Sequence, residues 1–255
     1  MLLRYVLAMA LGVLQAPPRD SLLAQGIRLA PMEPAAALVR FEGMLARDST
    51  DVVANWRAAI ALNDIAQPLV AKGNRPRRDS LLARGEDDAR RAVRLAPHDA
   101  RALFSLGLVL GNTALTRSIK PKIRMAVEIR DLAVRALAAD STHDGAQHLL
   151  GRWNYEVMKL SGFERFVAKR LLGAGVFREA SWAEARTHLE RAVALDPARI
   201  YHRLDLARVC LERGDTAAAG VELRRIAELT NRFAADTTYR REAAELLRKL
   251  DQSRR

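Results

Sequence analysis

The chain is poor in cysteine and in aromatic side chains. One of its 255 residues is a cysteine, Cys210, so no internal disulfide can form and packing alone must hold the fold. Aromatic residues make up 5% while the apolar share is 49%. A core built mainly from small aliphatic side chains suits closely approaching helices better than a β-sandwich. Carboxylates are scarce too: 30 Asp and Glu face 42 Lys and Arg, a formal net charge of +12, and the pI is about 10.7. Such an excess draws nucleic acid, anionic lipid or acidic protein, or merely solvates the helix faces of an Arg-rich chain. Nucleic acid is the weakest of these. The basic residues are dispersed, with local clusters at Arg75–Arg78 and Lys120–Arg124, and no nucleic-acid-binding motif accompanies them.

Catalytic patterns are also lacking. There is no G-x-S-x-G elbow, no P-loop and no dinucleotide glycine fingerprint. His143 and His148 are five residues apart with no cysteine or carboxylate cluster beside them, which is the wrong spacing for a zinc pair on a helix. His98 and His202 stand at helix starts and are expected at the surface. Cys210 falls on the interior face of its helix and is expected as a buried thiol. The chain is therefore expected to be no enzyme and to use no cofactor or metal. Its longest apolar run, Tyr5–Leu14, is far short of the roughly 20 residues that span a bilayer. With Arg4 before it and Ala16 after it, the run reads as a signal peptide over 1–16. That predicts an exported protein, periplasmic or secreted; an uncleaved N-terminal anchor is the alternative.

What the chain does have is a recurring unit. "RAVRLAPHDARALFSLGLVLG" at 91–111, "RALAADSTHDGAQHLLGRWNY" at 135–155 and "RAVALDPARIYHRLDLARVC" at 191–210 share one plan. An Ala-rich helix ends, a short Asp, Pro or Ser stop follows, and a second helix opens, with Leu-Gly or Leu-Ala on its packing face. Repetition at this scale signals stacked helical hairpins. Ala185, Leu189, Ala192 and Pro197 stand at the spacings of the tetratricopeptide pattern. Gly214 sits where that pattern wants a glycine turn, and Gly107 and Gly151 where it wants close helix approach. Gly107 and Gly151 are 44 residues apart, more than the usual 34, so insertions are expected at 112–122 and 161–181. The predicted fold is all-α, a tetratricopeptide-like helical-hairpin solenoid over 34–252, preceded by a tether over 17–33. Residues 67–80, with Gly73 and two prolines, read as a loop.

"DVVANWRAAIAL", "HLLGRWNYEVMKLSGFERFVAKRLLGAG" and "SWAEARTHLERAVALDP" resemble the regulator of microtubule dynamics family. Gly151, Arg152, Trp153, Tyr155, Glu156 and Val157 match that family's Gly-Arg-Trp-x-Tyr-Glu-Val string. The resemblance implies a tetratricopeptide-like fold and a binding role; its implication of microtubule association is not carried to an exported chain. One relative is similar to tethers whose repeat domain binds phospholipid.

Two binding readings follow. In the first, a non-enzymatic scaffold holds a protein or peptide on its concave wall of first helices, near Asn55, Arg101, Arg152, Trp153, Tyr155 and Arg203. Trp153 and Tyr155 have a second reading as anchors of the insert, and Arg152 with Glu156 as a local i,i+4 ion pair. In the second, the basic amphipathic stretch at 161–177 meets anionic lipid through Phe163, Arg165, Phe166, Lys169 and Arg170, or else folds back onto the core.

Overall fold

The recurrence in sequence becomes a recurrence of caps. In a computed structural model that describes residues 17–69, 73–162, 164 and 175–252, three first helices open on the same device. A side chain at the N-cap accepts the amide three residues on: Asp51 from Ala54, Asp99 from Ala102 and His143 from Ala146. Each cap satisfies one of the amides a helix start leaves unpaired. The two Asp-Ser-Thr turns are also alike. Asp48 accepts the Thr50 amide at 2.8 Å and Asp140 the Thr142 amide at 2.9 Å.

The helices run α1 (Arg19–Leu29), α2 (Pro34–Leu45), α3 (Val52–Ala66), α4 (Arg75–Leu95), α5 (Ala100–Ala114) and α6 (Ile119–Ala139). After them come α7 (Asp144–Met158), the short α8 (Gly175–Arg178), α9 (Trp182–Leu195), α10 (Ile200–Glu212), α11 (Thr216–Glu228) and α12 (Asp236–Gln252). Among the described residues no strand occurs, and no helix is long and apolar enough to cross a membrane. Antiparallel neighbours pair as α1/α2, α3/α4, α5/α6, α7/α9 and α10/α11, and α12 caps the last hairpin. First helices touch one another directly, α3 to α5, α5 to α7, α7 to α10 and α10 to α12. Second helices pack on their own partner and on the next first helix. First helices therefore form the inner wall of the array and second helices its outer layer.

The seams are Ala, Leu and Gly. Ala89, Ala92, Ala133, Ala136, Ala185, Ala192 and Ala219 are all fully buried. Where a glycine stands, something fills its side-chain place: a Cβ on Gly107 would lie 2.5 Å from Leu149 Cδ2. Gly214 adopts φ 74° in the α10/α11 turn, and the Asp215 amide bonds back to Cys210 at 2.9 Å. Cys210 is buried, as expected.

Three expectations need correction. The stretch read as a tether, 17–33, contains helix α1, which packs on α2 with Leu22 and Gly26 buried. The Phe41 ring occupies the space a side chain on Gly26 would need. The loop read over 67–80 ends at Asn74, because Pro76 sits in the first turn of α4, where a missing amide costs nothing. The insertion read at 112–122 is mostly helix: α5 runs to Ala114 and α6 starts at Ile119, with Pro121 in its first turn. Residues 1–16, which carry the export expectation, lie outside the described residues, as does most of the 161–181 insertion.

The array also closes on itself. The Ala234 amide donates to the Pro31 carbonyl at 2.8 Å, and the Tyr239 hydroxyl to Gln67 Oε1 at 2.7 Å, across 172 residues. The first and last hairpins thus meet across the inner wall.

Candidate functional site: the inner wall

The deepest part of the inner wall is polar. On α7 and α10 four side chains form a line. Asp205 Oδ2 lies 3.1 Å from His148 Nε2. His148 Nδ1 lies 3.0 Å from His202 Nδ1, and His202 Nε2 lies 2.9 Å from Asp144 Oδ2. His148, His202 and Asp205 are buried, so His202 is corrected from a surface to an interior residue. Two facing ring nitrogens at 3.0 Å need one proton between them, since two lone pairs would repel and two N–H groups would clash. The pair is held between two carboxylates.

Asp205 is the hub. Arg152 Nη1 reaches its two oxygens at 2.9 and 3.0 Å, and Arg208 donates to it from one turn along α10. Burial alone would raise the Asp205 carboxyl, but Arg152, His148 and Arg208 hold it well below the usual carboxylate range. His148 is pushed down to about 4 by burial, only partly opposed by Asp205. Asp144, which burial alone would raise, is held at about 2 chiefly by His202. The Tyr201 ring lies tilted 3.8 Å from that of His148 and stacks 5.5 Å from Tyr239, which joins the line to the closure at Gln67. On the facing helix α3, Asp64 is raised to about 6 by burial, against its bond from Asn63 and the charge of Arg199.

The residues singled out in sequence fall in different places. Asn55 is fully buried and ties down the turn before α3, donating to Asp51 O at 2.8 Å and Ser49 O at 3.0 Å. Arg152 binds Glu156, the i,i+4 pair read in sequence, at 2.7 Å, in addition to Asp205. Trp153 is 5% exposed, donates to Ala126 O at 2.6 Å and stacks on Phe177. Tyr155 meets Trp182 edge-on and donates to Glu212 at 3.3 Å. Trp153 thus packs on Phe177 of the 161–181 stretch, while the partners of Tyr155 lie on α9 and α10, outside it. Arg203 binds Glu222 at 2.6 Å and the Pro197 carbonyl at 2.9 Å. Of the six, Arg101 alone is exposed, on α5, with no ion pair among the described residues. Phe163, Arg165, Phe166, Lys169 and Arg170 lie outside the described residues. Sequence reasoning missed the line from Asp144 to Asp205. Its available signal is a polar row at four-residue spacing on one helix: Asp144, His148, Arg152 and Glu156.

Beside this geometry stand the similarities to known proteins. Residues 34–251 match the model of the family described as regulator of microtubule dynamics protein 1-3. The chain is 25% identical over 204 residues to regulator of microtubule dynamics protein 1 of Bos taurus, covering 79% of this chain and 63% of that protein. It is 26% identical over 200 residues to protein 3 of the same name and organism, covering 75% and 40%. It therefore spans less than two-thirds of the length of either relative. Among solved structures, a thermophilic TPR protein of Thermus thermophilus superposes with a TM-score of 0.59 at 17% identity, over 90% of this chain and 99% of that one. The pilF protein of Pseudomonas aeruginosa gives 0.53 at 14% identity, over 92% and 87%. These likenesses establish the tetratricopeptide fold.

Proposed function

For a chain that belongs to the regulator of microtubule dynamics protein 1-3 family, we propose a non-enzymatic interaction scaffold that holds a protein or peptide partner on the inner wall of first helices. One observation carries the reading. The Asp205 hub ties α7 to α10 within the inner wall, while Arg101, on the first turn of α5, stands exposed with no ion pair among the described residues. A wall fixed by its own buried network presents its remaining side chains in one arrangement, which lowers the ordering cost of binding. The regulation of microtubule dynamics that the relatives' names carry is not part of the proposal.

Photo-crosslinking tests it. Benzoylphenylalanine replaces Phe104, which lies between α5 and α7 with its ring 4.8 Å from His143. In a second variant it replaces Arg124, exposed on the outer helix α6. Peptides selected from a random library on the full chain should crosslink at 104 and not at 124. Crosslinks confined to 124, or at neither position, would overturn the reading.

A further inference from the structure

Most half-buried arginines of the hairpin seams have polar partners. Arg78 binds Asp79 and Thr116, Arg90 binds Glu86 and Glu128, Arg152 binds Asp205 and Glu156, and Arg203 binds Glu222. Arg208 bridges Asp205 and Glu242. Arg57, on α3, differs. Its Nε is buried without an acceptor, a condition shared with Arg40 on α2. Among the described residues no ion pair includes Arg57, and the charged group acting on it is Arg101 of the neighbouring first helix. Burial first, and then that like charge, push the Arg57 guanidinium below its ordinary range. The side chain is nonetheless held in place. Its guanidinium carbon lies 4.3 Å from the centre of the Trp56 ring and 6.0 Å from that of Phe41. An aromatic stack fixes the plane of the guanidinium and leaves its outer N–H groups free to fork onto a carboxylate.

A half-buried cation with no counter-charge among the described residues, with a second unpaired arginine on the first helix packed against its own, carries a desolvation cost that the aromatic stack offsets only in part. We propose that Arg57 and Arg101 form a receiving site for carboxylates of an acidic peptide segment of a partner protein. The inference rests on the scaffold reading above and supplies its chemistry. A bidentate carboxylate satisfies the free guanidinium edge, and one anion between the two arginines removes their repulsion. The formal charge of +12 draws such a segment toward the protein at long range. Arg57 and Arg101 decide where it docks.

The probes are fluorescein-labelled hexaglutamate and hexaglutamine, titrated by anisotropy against the full chain at low salt and at high salt. Hexaglutamate should bind, more weakly at high salt, and hexaglutamine should not. Arg57→Gln with Arg101→Gln should weaken hexaglutamate by about tenfold or more, as expected for two charge-assisted contacts. The outer pair Lys120→Gln with Arg124→Gln should leave it unchanged. Arg57→Gln should melt at or above the wild-type temperature, because it removes a cation that nothing neutralises, whereas Arg152→Gln should melt lower. Equal binding by the wild type and the Arg57/Arg101 double variant overturns the proposal, as does equal weakening by the outer pair. Binding to phosphatidylserine vesicles that the double variant loses, with hexaglutamate ignored, also overturns it in favour of lipid. If neutral library peptides crosslink at position 104 while hexaglutamate fails, the acidic preference falls and the scaffold reading stands. If neither occurs, both fall.

Discussion

At the scale of single residues, the inner wall stores its electrostatics in opposed pairs, and pH should separate them. His148 titrates near 4 in the fold against 6.5 in an unfolded chain. The unfolded state therefore binds more protons across that window, and stability falls as pH drops through it. Asp64 does the opposite. It titrates near 6 in the fold against 3.8 unfolded, so the folded state binds more protons between those values and acidification there is stabilising. Asp144 and Asp205 are depressed below 3.8, so their stabilisation is lost only as pH falls under about 4. The melting temperature should thus decline gently from pH 7 to about 4.5 and steeply below about 4. Asp64→Asn removes one side of the balance. It should raise the melting temperature at pH 7 by sparing a buried carboxylate, and the advantage should vanish by about pH 4. Thermal melts followed by circular dichroism at neutral pH, near the Asp64 value of about 6 and near the His148 value of about 4 measure it. An offset that stays constant with pH would show that Asp64 is not raised.

At the scale of elements, glycine decides how closely a hairpin closes. A Cβ on Gly151 would lie 2.7 Å from Leu189 Cγ and 3.1 Å from the Ala185 carbonyl, so the α7/α9 seam must open to admit it. A Cβ on Gly111 would meet Leu149 Cδ1 at 4.0 Å, an ordinary contact. Gly151→Ala should therefore destabilise by about 1–3 kcal/mol, as overpacked cores do. Gly111→Ala should be neutral or stabilising by up to about 1 kcal/mol through helix propensity. Urea denaturation midpoints with unchanged slopes read both, and equal effects would refute the packing account. Gly107 and Gly151 were legible in sequence because the close helix crossing repeats, and with them the hairpins from α2 onward. Helix α1 was not. Gly26 makes room for Phe41 rather than breaking the helix, and Pro17 and Pro18 precede it as a loop would. The site was less legible than the fold. Arg152 and Glu156 share one helix and can be read as a pair, but Asp205 lies 53 residues from Arg152, and His202 lies 54 from His148. No periodicity within one helix reports a partner supplied by the next first helix.

At the scale of the whole molecule, closure changes what kind of array this is. An open stack of hairpins couples only neighbours, so disturbing one end leaves the other untouched. Here the α12 residue Tyr239 is bonded to Gln67 at the end of α3, and Ala234 to Pro31 between α1 and α2. Tyr239 also stacks on Tyr201, whose ring lies against His148, so the closure is continuous with the buried line on α7 and α10. A change at Tyr239 should therefore be felt in the first hairpins. Tyr239→Phe keeps the ring and its stacking and removes one hydrogen bond, a loss of about 0.5–1.5 kcal/mol. Hydrogen exchange followed by mass spectrometry distinguishes the two behaviours. In a closed array, amides at 60–69 at the α3 end and at 29–37 around Pro31 exchange faster in the variant, together with those of α12. In an open array, faster exchange stays within 196–252, where nearest-neighbour packing alone would confine it. The expected result is the first, because the path from Tyr239 to α1 and α2 through these two bonds is far shorter than the path through the whole solenoid.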